Sequence, residues 1–138
     1  MYKRILLATD GSEHSVRSAK HASALANQFG GTVDIVFVID GNKSKEDVLH
    51  NMTEYEIDLK RKEKTRAVQE VLEQEGVSFE TNILHGEPGP TIVNFANDNN
   101  YDCVVIGSRG HNALQEMILG SVSHKVVKRV DAPVMVIK

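Results

Sequence analysis

Three short stretches of this chain carry residue types suited to holding a phosphorylated ligand. Ala8-Thr9-Asp10-Gly11-Ser12 follows one apolar run, and Gly107-Ser108-Arg109-Gly110 follows another. After nine more residues comes Gly120-Ser121-Val122-Ser123. Glycines at a strand end, as Gly107 and Gly110 are placed, can take positive φ and let backbone N–H groups approach an anion with no Cβ in the way. Gly120-Ser121 opens a helical stretch, whose N-terminal N–H groups and positive dipole end favour phosphate. Ser121 and Ser123 can add hydroxyl donors or cap that helix. Asp10 can accept from a ribose or a base, help hold a metal that bridges phosphates, or cap the first helix together with Ser12. Arg109 can pair with a phosphate or with a protein carboxylate. Taken singly, each residue reads as an ordinary turn or cap; their joint spacing points to one anion site.

The elements that must position these stretches alternate along the chain. Apolar, β-branched runs occur at Ile5–Ala8, Val33–Ile39, Val77–Leu84, Cys103–Ile106 and Val134–Ile137. Between them lie segments with helical spacing. The first has Val16, Ala19, Ala22, Ala26 and Phe29 on one face and stops at Gly30-Gly31. The second runs from about Lys45 to Glu75, the third follows Pro88, and the last starts near Ser121. The pattern predicts an α/β fold: a doubly wound, open, five-stranded parallel sheet with helices on both faces. The unbroken apolar first and fourth strands belong at the centre, and the alternating third strand at an edge. Strand order 3-2-1-4-5 satisfies this and puts strands one and four side by side where the winding reverses, the place where open α/β sheets bind ligands.

The stretch from 45 to 75 is too long for one crossover helix, since it would span about 46 Å against about 17 Å for a five-residue strand. Ala67, Val68, Val71 and Leu72 form its expected sheet-facing stripe. Lys60-Arg61-Lys62-Glu63-Lys64 reads as a solvated surface, with a patch for an anionic partner as the sharper reading. Val48, Met52, Tyr55 and Leu59 are expected to overhang the sheet or to lie against a partner.

Composition narrows the function. The 138 residues make one domain, 1–138, and the formal net charge of −3 lacks the field of a general nucleic-acid binder. One cysteine, Cys103, excludes an internal disulfide and a Cys-rich zinc site; its place in a central strand reads as packing. The six histidines show no metal-ligand spacing, and His111 and His124, near the expected phosphates, read as surface residues. The N-terminal apolar run is too short for a signal peptide, and nothing approaches the ~20 residues of a membrane span, so a cytoplasmic protein off the membrane is expected. No G-x-x-x-x-G-K-[ST] occurs and no G-x-G-x-x-G follows the first strand, which argues against P-loop and dinucleotide sites. Asp10 is the only acid at the first strand end, unlike a phosphoryl-accepting receiver domain.

From end to end the chain resembles the universal stress protein family, in its ATP-binding branch. The resemblance is carried by Ala8-Thr9-Asp10-Gly11-Ser12, by Gly86-x-Pro88, by G-x-x-G-x9-G-S from Gly107 to Ser121, and by Ala132-Pro133-Val134-Met135-Val136-Ile137. It implies a stress-linked role, with ATP and Mg2+ or Mn2+ as cofactors. It also implies that Asp10 and the backbone at Val38 lie at the adenosine, while Gly107, Gly110, Gly120, Ser121 and Val122 hold the phosphates. Ala8, Thr9, Arg109 and Ser123 complete the expected binding set. Any divalent ion is expected to be held mainly by phosphates, with Asp10 as the candidate protein ligand.

Three functions follow. The leading expectation is a regulatory protein that holds ATP without robust turnover, because no convincing general base accompanies the glycines. The alternatives are a slow ATPase or nucleotide-transfer enzyme, and a partner-binding protein with an empty crevice. A homodimer through strand 133–138 is also expected: that edge is apolar and carries no inward charge or bulge. The resemblance implies the same pairing.

Overall fold

The computed structural model describes residues 1–40, 53–108 and 120–138. Five strands and, among these residues, four helices alternate: β1 (Arg4–Thr9), α1 (His14–Phe29), β2 (Thr32–Ile39), α2 (Glu54–Gln74), β3 (Phe79–His85), α3 (Pro88–Asp98), β4 (Cys103–Gly107), α4 (Ser121–Arg129) and β5 (Val134–Ile137). All strands are parallel and lie in the order β3-β2-β1-β4-β5, as the apolar patterning predicts.

Because strand side chains alternate between faces, each central strand feeds two cores. Ile5, Leu7, Val33, Ile35 and Val105 meet Ala19, Ala22, Ala26, Val68 and Leu72 on the face covered by α1 and α2. Leu6, Ala8, Val36, Val104 and Ile106 meet Ile92, Val93, Ala96, Val126 and Val130 on the face covered by α3 and α4. Cys103 is buried in the first of these cores, and burial pushes its thiol pKa up, in keeping with a packing role. One boundary and two packing details differ from expectation. β3 starts at Phe79 rather than Val77. The inner stripe of α2 is Thr65, Val68 and Leu72, with Val71 partly buried against it and Ala67 turned out to solvent. Phe29 is exposed beyond the small-residue stripe of α1 and stacks edge-on against Tyr2 at 5.2 Å.

Local chemistry sets where helices start and stop. Thr53 caps α2 in a reciprocal box with Glu56: the Glu56 N–H donates to Thr53 Oγ1, and Glu56 reaches back to the Thr53 N–H. The helix on the sheet's face therefore starts at Glu54, well inside the Lys45–Glu75 stretch. The expected places of Val48 and Met52 lie outside the described residues. Gly30 closes α1 in the left-handed region at φ 65°. Gly31 is needed for a different reason: a Cβ there would lie 2.5 Å from the Tyr2 carbonyl oxygen and 2.8 Å from that of Lys3.

The amino end of the sheet is closed by side chains. Tyr101 donates to Asp34 Oδ2 at 2.7 Å, the Arg4 guanidinium stands 4.7 Å over the Tyr101 ring, and Arg4 pairs with Asp34 at 3.5 Å and donates to the Asn99 carbonyl. Burial and the bond to Asp34 raise the Tyr101 pKa above the ordinary tyrosine value. Asp102 Oδ2 accepts from the backbone N–H groups of Lys3 and Arg4 at 2.8 and 2.9 Å.

Candidate functional site

At the carboxyl end, Ala8 of β1 stands beside Ile106 of β4, so the loops after both strands open from neighbouring positions. Ala8 and Thr9 are buried, and Asp10 is exposed beyond them. Thr9 pairs with Phe37 across β1 and β2, so the next residues, Asp10 and Val38, are also neighbours at this end.

The turn after β1 is built from its own polar groups. The Gly11 N–H donates to Thr9 Oγ1 at 3.2 Å, the Ser12 N–H donates to Asp10 Oδ1 at 2.9 Å, and Ser15 Oγ donates to the same Asp10 oxygen at 3.2 Å. This is an Asx turn followed by a tie to the helix. The N-cap of α1 is Glu13, whose side chain makes no cap bond, while Asp10 ties the turn to the helix through Ser15 Oγ. Gly11 takes φ 78°, the left-handed conformation open to glycine. Gly107 does not; it is the last residue of β4, paired with Ile137. Ser12 Oγ is shielded from solvent and has no hydrogen-bond partner among the described residues.

α4 supplies the opposite wall. Gly120 is its N-cap at φ −63° and ψ 162°, and among the described residues no side-chain hydrogen bond closes the first turn. Ser121, expected as a cap, is instead the first helical residue, exposed next to that uncapped end. Val122 is half-buried against the α3/α4 core. Ser123 is buried and donates its hydroxyl proton to the Gly107 carbonyl at 2.8 Å, tying the start of α4 to the end of β4. Its proton is thus committed within the protein, and its oxygen remains an acceptor. Arg109 and Gly110 lie outside the described residues. So does His111; His124 is exposed on α4.

The Gly86-x-Pro88 stretch serves the same end of the sheet. Gly86 takes φ 144°, its N–H donates to the Ile39 carbonyl at 3.0 Å, and a Cβ there would meet Thr91 Oγ1 at 2.7 Å. Pro88 then opens α3, where a missing N–H costs nothing.

A parallel sheet in the order β3-β2-β1-β4-β5, with the winding reversing between β1 and β4, defines a doubly wound α/β protein. The model of the universal stress protein family matches residues 1–138. The chain belongs to that family. It is 34% identical over 141 residues to universal stress protein MJ0531 of Methanocaldococcus jannaschii, covering all of this chain and 83% of the relative. The structure of MJ0577 from the same organism superimposes with a TM-score of 0.85 at 33% identity, over 100% of this chain and 96% of that one. The universal stress protein of Archaeoglobus fulgidus solved in complex with dAMP matches with a TM-score of 0.75 at 25% identity, over 99% and 98%.

Among the described residues no group of three or more His, Cys, Asp or Glu side chains is arranged to hold a metal. No described helix is long and apolar enough to cross a membrane.

Proposed function

We propose that this chain is a stress-response regulatory protein that holds ATP, with a divalent cation, at the carboxyl ends of β1 and β4. The observation that carries this reading is the start of α4. Its N-cap is a glycine, no side chain among the described residues closes its first turn, and Ser123 pins that turn to the end of the strand beside β1. An uncapped helix N-terminus held at a switch point suits an anionic phosphate. The adenine nucleotide bound by the Archaeoglobus relative supports the ligand class. Asp10 and the backbone at Val38 would lie at the adenosine; Gly107, Arg109, Gly110, Gly120, Ser121 and Val122 would face the phosphates. Ala8, Thr9 and Ser123 shape the walls. The cation would be held mainly by phosphates, with Asp10 as the acid at the first strand end.

Asp10 already accepts one hydrogen bond from its own turn and one from Ser15 of α1, which suits holding better than proton transfer. ATP turnover is therefore expected to stay well below about 1 per second, the lower end of ordinary enzyme rates. Mass spectrometry of the purified, denatured protein tests the reading: ATP or ADP carried through purification supports it. A protein that carries none and gives no heat on titration with ATP and magnesium contradicts it.

The same reading includes a homodimer through strand 133–138. The Val104 N–H donates to the Pro133 carbonyl and the Ser108 N–H to the Ile137 carbonyl, so alternate residues of β5 face β4. Val134 and Val136 thus turn their backbone groups to the outer edge, beside the exposed Met135. A Val136→Pro variant removes one outward donor and is expected to sediment as a folded monomer. A wild type that sediments as a monomer at micromolar concentration contradicts this pairing.

A further inference from the structure

We infer that the aliphatic stem of Lys64 clamps the turn Thr9–Ser12 and so positions the first wall of the nucleotide crevice. The inference rests on the function proposed above for its ligand, and on the following geometry for the clamp itself. Because all strands are parallel, α2 runs back from the carboxyl end of β2 to the amino end of β3, and its first half lies at the crevice end. An ideal Cβ placed on Gly11 would lie 3.0, 3.3 and 3.2 Å from Cβ, Cγ and Cδ of Lys64. Three successive stem atoms therefore occupy the space beside Gly11 that a side chain would otherwise need.

Gly11 stands at φ 78°, and glycine by itself holds that conformation weakly because many others are open to it. The turn's own bonds, from Gly11 to Thr9 and from Ser12 to Asp10, are local and span two residues each, and Ser15 Oγ holds Asp10 from α1. None of these touches the open side of Gly11, where a contact from outside the turn can select one conformation. Lys64 is well placed to provide it, since the adjacent Thr65 is 2% exposed and fixes α2 against the core at that level. Lysine stems commonly pack along the protein while the ammonium reaches outward. The basic run read as a solvated surface thus contains, in Lys64, a half-buried residue seated on the candidate site.

Two variants separate stem from charge. Lys64→Ala removes both, and Lys64→Met keeps an unbranched stem without the ammonium; neither substitution disfavours the helix. In the nucleotide-free protein, hydrogen exchange at the Gly11 and Ser12 amides should accelerate in the Ala variant and stay near wild type in the Met variant. Melting temperatures should remain close to one another. In calorimetric titrations with ATP and magnesium, the Ala variant should bind roughly fivefold or more weakly, as the share of molecules with a competent turn falls, while the Met variant, which keeps the stem, should lose clearly less. Unchanged exchange in the Ala variant, or equal loss of affinity in both, overturns the clamp. A wild type that binds no ATP, with exchange still altered only in the Ala variant, overturns the proposed ligand and leaves the clamp of the turn standing.

Discussion

The two ends of the sheet solve opposite problems. At the amino end, Arg4, Asp34, Tyr101, Asn99 and Asp102 satisfy one another and the backbone of Lys3 and Arg4, and Gly31 lets the chain press against residues 2 and 3. At the carboxyl end, the polar groups are arranged but not all consumed. Among the described residues, Ser12 Oγ and, one turn into α1, Ser18 Oγ lack partners, and the first turn of α4 has no side-chain cap. Buried polar groups left without partners cost stability. One end holds the strands together, and the other is where the ligand is proposed to bind.

The two glycines offer the sharpest way to break this contrast. Gly31→Ala forces a Cβ to 2.5 Å from a backbone oxygen that has little room to move, and should cost about 2–3 kcal/mol. At Gly120 a Cβ would meet nothing closer than 3.9 Å among the described residues, and φ −63° suits any residue, so Gly120→Ala should cost only the weaker N-cap preference of alanine, about 0.5–1 kcal/mol. Urea unfolding of the two variants reads the difference directly. Equal losses would erase the distinction between the ends.

A smaller effect is expected from Tyr101→Phe, which removes the 2.7 Å bond to Asp34 but leaves Arg4 beside that carboxylate. The expected loss is about 1–2 kcal/mol, with no change in nucleotide affinity. A variant that lost affinity without losing stability would place the network in the site.

The smallest effect is a pH dependence at Asp102. The backbone N–H of Arg4, then that of Lys3, hold its carboxyl below its ordinary value of 3.8. A group with a depressed folded-state pKa stabilises the fold fully above the unfolded value and loses that contribution as pH falls through the folded one. The stability difference between wild type and Asp102→Asn should therefore be constant near neutral pH and shrink below about pH 4. A difference that holds to pH 2 would assign the effect to something other than this charge.

Strand order and the two buried cores were legible in the sequence because unbroken apolar runs and small-residue helix faces report burial directly. The joint spacing of Asp10, Gly107 and Gly120-Ser121 was legible for the same reason: strand ends fix where loops must meet. Other features depend on contacts distant in sequence. Nothing in the run Lys60–Lys64 reveals that one of its stems lies on Gly11, or that Tyr101 reaches Asp34 from 67 residues away. Two missed signals were local. Thr53-x-x-Glu56 marks the start of α2, and Gly11 within Asp10-Gly11-Ser12 is an Asx-turn glycine.

The most direct test of the contrast is a calorimetric titration of wild type and Gly120→Val with ATP and magnesium, with thermal unfolding of both proteins in parallel. A side chain at the uncapped start of α4 stands where phosphate is proposed to sit, in a backbone conformation valine readily adopts. Saturable binding to wild type, none to the variant, and closely similar melting temperatures are the predicted result. Equal affinity in two equally folded proteins would contradict the proposed phosphate site.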